Sequence, residues 1–240
     1  MMVQPALGLG RKRGENWSRF AQRIGNAFGL VLLLVIATYV VSSLVRYSDW
    51  SAVPISALAS TTAAVALATS GVRLPLVRAA FGLAGMCVVL AVLAATSGHN
   101  GLLAISALTQ VVLLAWAAGA VLLAVVGEPE VGFRTILGAI SVYMISGLLF
   151  TSLYVAIERL QAGPFFQNAG GSSAGDYLFF SFTTLTTTGY RNLVPGGQPG
   201  RMFAGLEMLF GQIFLVTLIA GLVSLWRPGS ARPGASPRPR

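Results

Sequence analysis

Charge is scarce in this chain: charged residues fill 10% of its 240 positions, while hydrophobic residues fill 55%. A soluble domain of this size cannot cover its surface with so little charge, so an ordinary soluble fold is the first class excluded. Cysteine and histidine are almost missing, at one residue each. A single cysteine forms no intrachain disulfide, and Cys87 lies in an apolar run where it is expected to pack as a small hydrophobe. His99 stands in the polar segment Ser97-Gly98-His99-Asn100 with no partner ligand nearby, which argues against a metal centre there. Seven scattered carboxylates complete a set with no visible acid–base pair or nucleophile, so no enzyme and no cofactor are expected.

What charge there is comes almost wholly from arginine and sums to +9. Chains this basic often bind nucleic acid. Here the basic residues stand between apolar runs and in the two tails rather than on one face, which excludes that partner and suits a membrane protein. A bilayer core about 30 Å thick is crossed by roughly 20 apolar residues in a helix. Charge-free runs of that length place six spans at about 26–45, 51–71, 79–97, 102–126, 135–157 and 202–226. The second is rich in alanine, serine and threonine, residues that let helix backbones approach closely in lipid.

The expected organisation is a basic arm over 1–25, a four-helix membrane domain over 26–127, a second unit over 128–227, and a disordered basic tail over 228–240. The arm suits an anionic leaflet, and its apolar continuation starts too late and runs too long for a secretory signal peptide. With six spans and both termini in the cytoplasm, twelve basic residues fall on the inner side and four on the outer. That asymmetry supports a multi-pass protein of the cell membrane in this orientation.

The chemistry concentrates between Asp176 and Trp226. From Tyr177 to Tyr190 the chain has about 14 uncharged residues, too few to span and suited to a re-entrant segment. Non-helical backbone at membrane depth is tolerated only inside protein or along a water-filled path. Thr187-Thr188-Gly189-Tyr190, followed by Arg191-Asn192-Leu193 and Pro195, resembles the selectivity filter of potassium channels, in particular the bacterial members with a single pore loop per chain. Upstream, Phe180, Phe182, Thr183, Leu185 and Thr186 are similar to that family's pore helix; downstream, Gly200-Arg201, Ala204, Glu207, Gly211 and Gln212 are similar to its inner helix. The resemblance covers about 133–227.

The fold it implies is an all-α integral membrane protein, six transmembrane helices with a re-entrant pore loop between the fifth and sixth. One pore loop per chain implies a homotetramer in the bilayer. Carbonyls of Thr187, Thr188, Gly189 and Tyr190, with the Thr187 hydroxyl, would hold potassium ions in place of their hydration shell. A pore helix at about 176–186, with Asp176 near its start and Thr183 and Thr186 toward its end, would aim a partly negative C-terminus at the central cavity.

One departure stands out. The family's second filter glycine and its aspartate are Arg191 and Asn192 here. By resemblance, Arg191 is expected in a backbone conformation that costs a residue with a Cβ about 1–2 kcal/mol. It would also put four positive charges at a tetramer's mouth unless Glu158 or Asp176 neutralises them. The expected function is passive conduction of monovalent cations, potassium foremost; the alternative is a non-conducting scaffold or regulatory subunit with a degenerate filter.

Glu207, an ionisable residue inside a span, is a functional candidate, or else a structural partner of pore-helix hydroxyls. Gly211 is read either as a hinge or as a packing glycine. The fourth span carries no arginine, so it supplies no charge to sense voltage. No ligand-binding domain is legible after the last span, which leaves gating to the pore, the lipid, protons or a partner.

Overall fold

A computed structural model of the chain describes residues 28–44, 50, 52–127, 132–167 and 172–225. The basic arm at 1–25 and the tail at 228–240 lie outside the described residues, so those two expectations find no test there.

Long charge-free runs of good helix formers give α1 (Phe28–Leu44), α2 (Ala52–Thr69), α3 (Leu74–Ser97), α4 (Asn100–Val126), α5 (Phe133–Leu160), α6 (Ala174–Leu185) and α7 (Gln198–Leu225). The described residues contain no strand, and one isolated bridge joins Phe166 to Pro195. Four stretches are long and apolar enough to cross a membrane, Leu74–Ser97, Asn100–Val126, Thr135–Leu160 and Gln198–Gly221. The shortest of these, at 24 residues, reaches about 36 Å at 1.5 Å per residue. A helix therefore occupies each of the six places read from hydropathy, and the described parts of α1 and α2 are the shorter ones. The 18 residues of α2 reach about 27 Å, just under the hydrocarbon thickness.

Small residues decide how the first four helices meet. The buried face of α3 is Ala80, Ala84, Cys87, Ala91 and Ala94, spaced by fours and threes so that all lie on one side. α2 contributes Ala63, Ala64 and Ala66, and α4 contributes Ala104, Ala117 and Ala120. Such stripes bring backbones close where water supplies no hydrophobic drive. Phe28, Val31 and Val35 of α1 enter the same core beside Val142, Ile145 and Leu148 of α5 and Leu178 of α6. Cys87 is fully buried there, as its apolar setting requires. Outward-facing Leu33, Phe81, Val89, Val112 and Leu123 are each half or more exposed, an arrangement that only lipid or another chain can cover.

A second, aromatic core lies at one end of α5. Tyr154, Phe165, Phe166, Tyr177 and Phe180 pack together there, with ring centres 4.8–5.9 Å apart. This cluster fixes α6 against α5 and against the 161–167 loop.

Candidate functional site

The site begins with a short helix whose two ends are held by different means. Ser173 caps α6: its hydroxyl accepts from the Asp176 amide at 3.2 Å, and the Asp176 carboxylate accepts from the Ser173 amide at 2.7 Å. This reciprocal box satisfies amides that a helix start leaves open. It also shows what Asp176 does: it serves the helix N-terminus. α6 spans Ala174–Leu185, two residues ahead of the expected start and one short of the expected end.

The C-terminus of α6 closes in a Schellman turn. The Thr188 amide donates to the Thr183 carbonyl at 2.8 Å, and the Thr187 amide donates to the Thr184 carbonyl at 2.9 Å. This pattern needs a left-handed residue between them, a place usually held by glycine. Thr187 fills it, at φ +56°. Gly189 follows at φ +62°, where the lack of a Cβ removes the cost. The Gly189 amide also reaches the Thr183 carbonyl, at 3.2 Å. The Thr186 hydroxyl lies within bonding distance of the Phe182 carbonyl at 2.8 Å, the Thr188 hydroxyl at 2.9 Å and the Thr183 carbonyl at 3.4 Å.

With the amides spent backward, the oxygens beyond the turn are left over. Among the described residues, the carbonyls of Thr187, Thr188, Gly189 and Tyr190 accept no hydrogen bond. Every residue from Thr186 to Asn192 is exposed on the single chain. The Tyr190 ring stacks on Phe179 of α6 at 5.4 Å, so this side chain braces the segment from behind. Past it the chain is pinned again: Gln167 donates to the Val194 carbonyl at 3.0 Å and Gly196 to the Phe165 carbonyl at 2.7 Å. The Arg201 guanidinium holds the Pro195 carbonyl at 3.2 Å. The segment 186–192 is thus a loop tied at both ends and open in the middle.

The expectation about the Arg191 backbone is corrected. Thr187 is the non-glycine residue at positive φ among the described residues, so Arg191 stands in ordinary backbone. The strain sits four residues earlier because the helix-ending turn, not the outer rung, demands the left-handed conformation. Nor does an ion pair join Arg191 to Glu158 or Asp176 within one described chain. Glu158 accepts from the Phe165 amide, and Asp176 is engaged by its own helix cap. Arg191 and Asn192 are both exposed, side by side in the turn after Tyr190.

The last helix meets α5 and α6 along one narrow stripe. Gly200, Ala204, Glu207 and Gly211, spaced by four, three and four, are buried, whereas Met202, Leu209, Ile213, Val216 and Ile219 are more than half exposed. A Cβ at Gly211 would stand 2.0 Å from the Leu185 carbonyl oxygen, so glycine is required there for close approach, which favours packing over a hinge. Glu207 is fully buried. Its two oxygens take the Tyr154 hydroxyl and the Ser181 hydroxyl, and Ser181 also lies 2.8 Å from the Gly147 carbonyl. Glu207 therefore knots α5, α6 and α7 together behind the turn.

Sequence reasoning anticipated the hydroxyl partner on α6 but missed Tyr154 and Tyr143. The Tyr143 hydroxyl donates to the Leu185 carbonyl at 3.0 Å, satisfying the last turn of α6. The available signal was a phenol inside an apolar helix, since a buried tyrosine hydroxyl usually finds a partner.

The same segment is similar in sequence to known proteins. Residues 138–227 match a family model described as an ion channel. The inward rectifier potassium channel Kirbac3.1 of Paramagnetospirillum magnetotacticum is 34% identical over 82 residues, which is 34% of this chain and 28% of that protein. The chain thus spans little more than a quarter of the length of the curated relative it matches. No solved structure matches. Over residues 138–227, which hold most of α5, the tied loop with its open carbonyls and all of α7, the chain is similar to the pore family of potassium channels.

Proposed function

We propose that four copies of this chain form a channel that conducts monovalent cations, potassium foremost, passively across the membrane. The observation that carries the proposal is the set of four successive carbonyls, Thr187 to Tyr190, that accept no hydrogen bond among the described residues. Backbone oxygens inside a membrane protein need a partner. A desolvated cation between four copies supplies one to each. Four chains are needed because one loop cannot surround an axis, and the exposed apolar side of α7 gives each copy a surface for its neighbours.

On this reading the filter is Thr187, Thr188, Gly189 and Tyr190, with Arg191 and Asn192 at its mouth. α6 and the loop re-enter the membrane between α5 and α7, and the C-terminal end of α6 turns its partial negative charge toward the ion path. α1 and α2 cross with help from their flanking residues, which makes six spans with both termini in the cytoplasm. The chain divides into a four-helix unit over 26–127 and a pore unit over 128–227. A scaffold with a dead filter is the reading Arg191 would favour, and the ordinary backbone at Arg191 removes its main motive.

The test is potassium flux from proteoliposomes that hold the purified full chain, with native mass spectrometry on the same sample. A tetramer with barium-sensitive flux is expected. A tetramer without flux overturns conduction, and a monomer or dimer as the sole species overturns the pore.

A further inference from the structure

The first five helices and the first turns of α6 line a partly open cavity of about 130 Å³. Its polar lining is Thr38, Ser42, Ser56, Ser106, Gln110, Thr151 and Ser152, and no charged side chain reaches it. Two of these residues are incompletely satisfied. Gln110 is 4% exposed and Ser42 is 3% exposed, and Gln110 Nε2 and Ser42 Oγ have no hydrogen-bond partner. The Gln110 carbonyl oxygen takes the Ser60 hydroxyl at 3.0 Å and the Ser56 hydroxyl at 3.3 Å. Exchanging the amide's nitrogen and oxygen would move the open valence from one atom to the other without filling it. A buried polar atom left alone costs about 1–3 kcal/mol.

The other hydroxyls narrow what the occupant must offer. Thr38, Thr151 and Ser152 give their protons to the Leu34, Gly147 and Leu148 carbonyls of their own helices. The cavity therefore concentrates its unmet demand at Ser42 and Gln110. The remaining wall, including Ile55, Leu103, Leu148 and Leu178, is apolar. The volume is close to that of an apolar cavity of about 150 Å³ that takes benzene.

We propose that this cavity is a binding site for a small neutral alcohol or phenol, with its hydroxyl at Ser42 and Gln110 and its apolar body against Leu148 and Leu178. A hydroxyl both donates and accepts, so it answers either orientation of the amide. With no charged side chain in the lining, the cavity suits a neutral occupant. Ala174 and Leu178 of α6 form part of the wall, so an occupant touches the same short helix that carries the open loop. The site itself does not depend on conduction, and binding rather than flux reads it.

The experiment uses the full chain in lipid nanodiscs, with phenol as the probe, benzene as the apolar reference and empty nanodiscs as the blank. Equilibrium dialysis is expected to show saturable phenol binding at one site per chain, with phenol about tenfold tighter than benzene, the value of one hydrogen bond. Ser42→Ala should weaken phenol several-fold and leave benzene unchanged. Gln110→Leu should erase the preference for phenol. Ala59→Leu fills the cavity from its wall and should abolish both, which keeps the proposal testable if Gln110→Leu fails to fold. Uptake equal to that of empty nanodiscs, equal affinity for phenol and benzene, or unchanged affinity in Ala59→Leu would overturn the site.

Discussion

A threonine held at φ +56° gives up about 1–2 kcal/mol that glycine would not. The branch at its Cβ makes the place worse still. Strain of this kind persists where the surroundings over-determine the backbone, as the Schellman bonds and the Tyr190–Phe179 stack do here. Thr187→Gly is therefore expected to stabilise the protein by about 1 kcal/mol while weakening potassium selectivity, because the hydroxyl is lost. Thermal melts and permeability ratios check both halves, and a lower melting temperature would show that Thr187 is unstrained. Arg191 makes the opposite case. Its backbone is ordinary, so glycine brings it no relief, and what it contributes is charge. Arg191→Gly and Arg191→Gln should raise single-channel potassium conductance alike, several-fold at low salt. The gain should fade near 1 M, where screening acts within about 3 Å. A gain in Arg191→Gly alone would return the effect to the backbone. The residue types of the loop were legible from the motif; the location of the strain was not, because it depends on which carbonyls the helix end captures.

At the scale of elements, the sequence is informative where period and length speak, and silent where two helices share one atom. The short helix and the long α7 follow from the lengths of the charge-free runs, and Gly200, Ala204, Glu207 and Gly211 stand out through the resemblance to the inner helix of potassium channels. That Gly211 faces the Leu185 carbonyl, and that Tyr143 completes the satisfaction of that same oxygen, follows only from the crossing of α5, α6 and α7. Gly211→Ala puts a methyl group 2.0 Å from that oxygen, so it should abolish the folded oligomer. Gly82→Ala, with open space around its Cβ, should not; size-exclusion profiles of the two variants decide it. Glu207 gives a second test of the same knot. In Glu207→Gln, the amide can accept from Tyr154 and donate to Ser181, so the melting temperature should barely move. Glu207→Leu leaves both hydroxyls buried without that partner and should cost about 1–3 kcal/mol for each one left unsatisfied. Equal losses in the two variants would mean that the carboxylate's charge, rather than its hydrogen bonds, holds the helices.

At the scale of the whole molecule, six charge-poor runs announced six helices, but hydropathy did not fix their lengths. Thr38 and Ser42 of α1 and the alanine-rich face of α2 serve the packing of a compact bundle as much as contact with lipid. The chemistry of that bundle decides whether it can sense voltage. Sensing a field requires charges that move through it, each contributing about 2.3 kcal/mol per 100 mV, and steep gating takes three or four in every subunit. α4 has no charged residue in its 27 positions. Within the described parts of α1–α4 the one charge is Arg78, in the second turn of α3, too near the helix end to cross much of the field. The neutral groups that replace charge, Gln110 with Ser56 and Ser60, are joined to one another rather than poised to travel. Open probability in planar bilayers should therefore change little between −100 and +100 mV, with only the weak dependence that ions moving in the filter impose. A conductance–voltage curve as steep as several charges per tetramer would show that the field acts on a part of the protein other than this bundle.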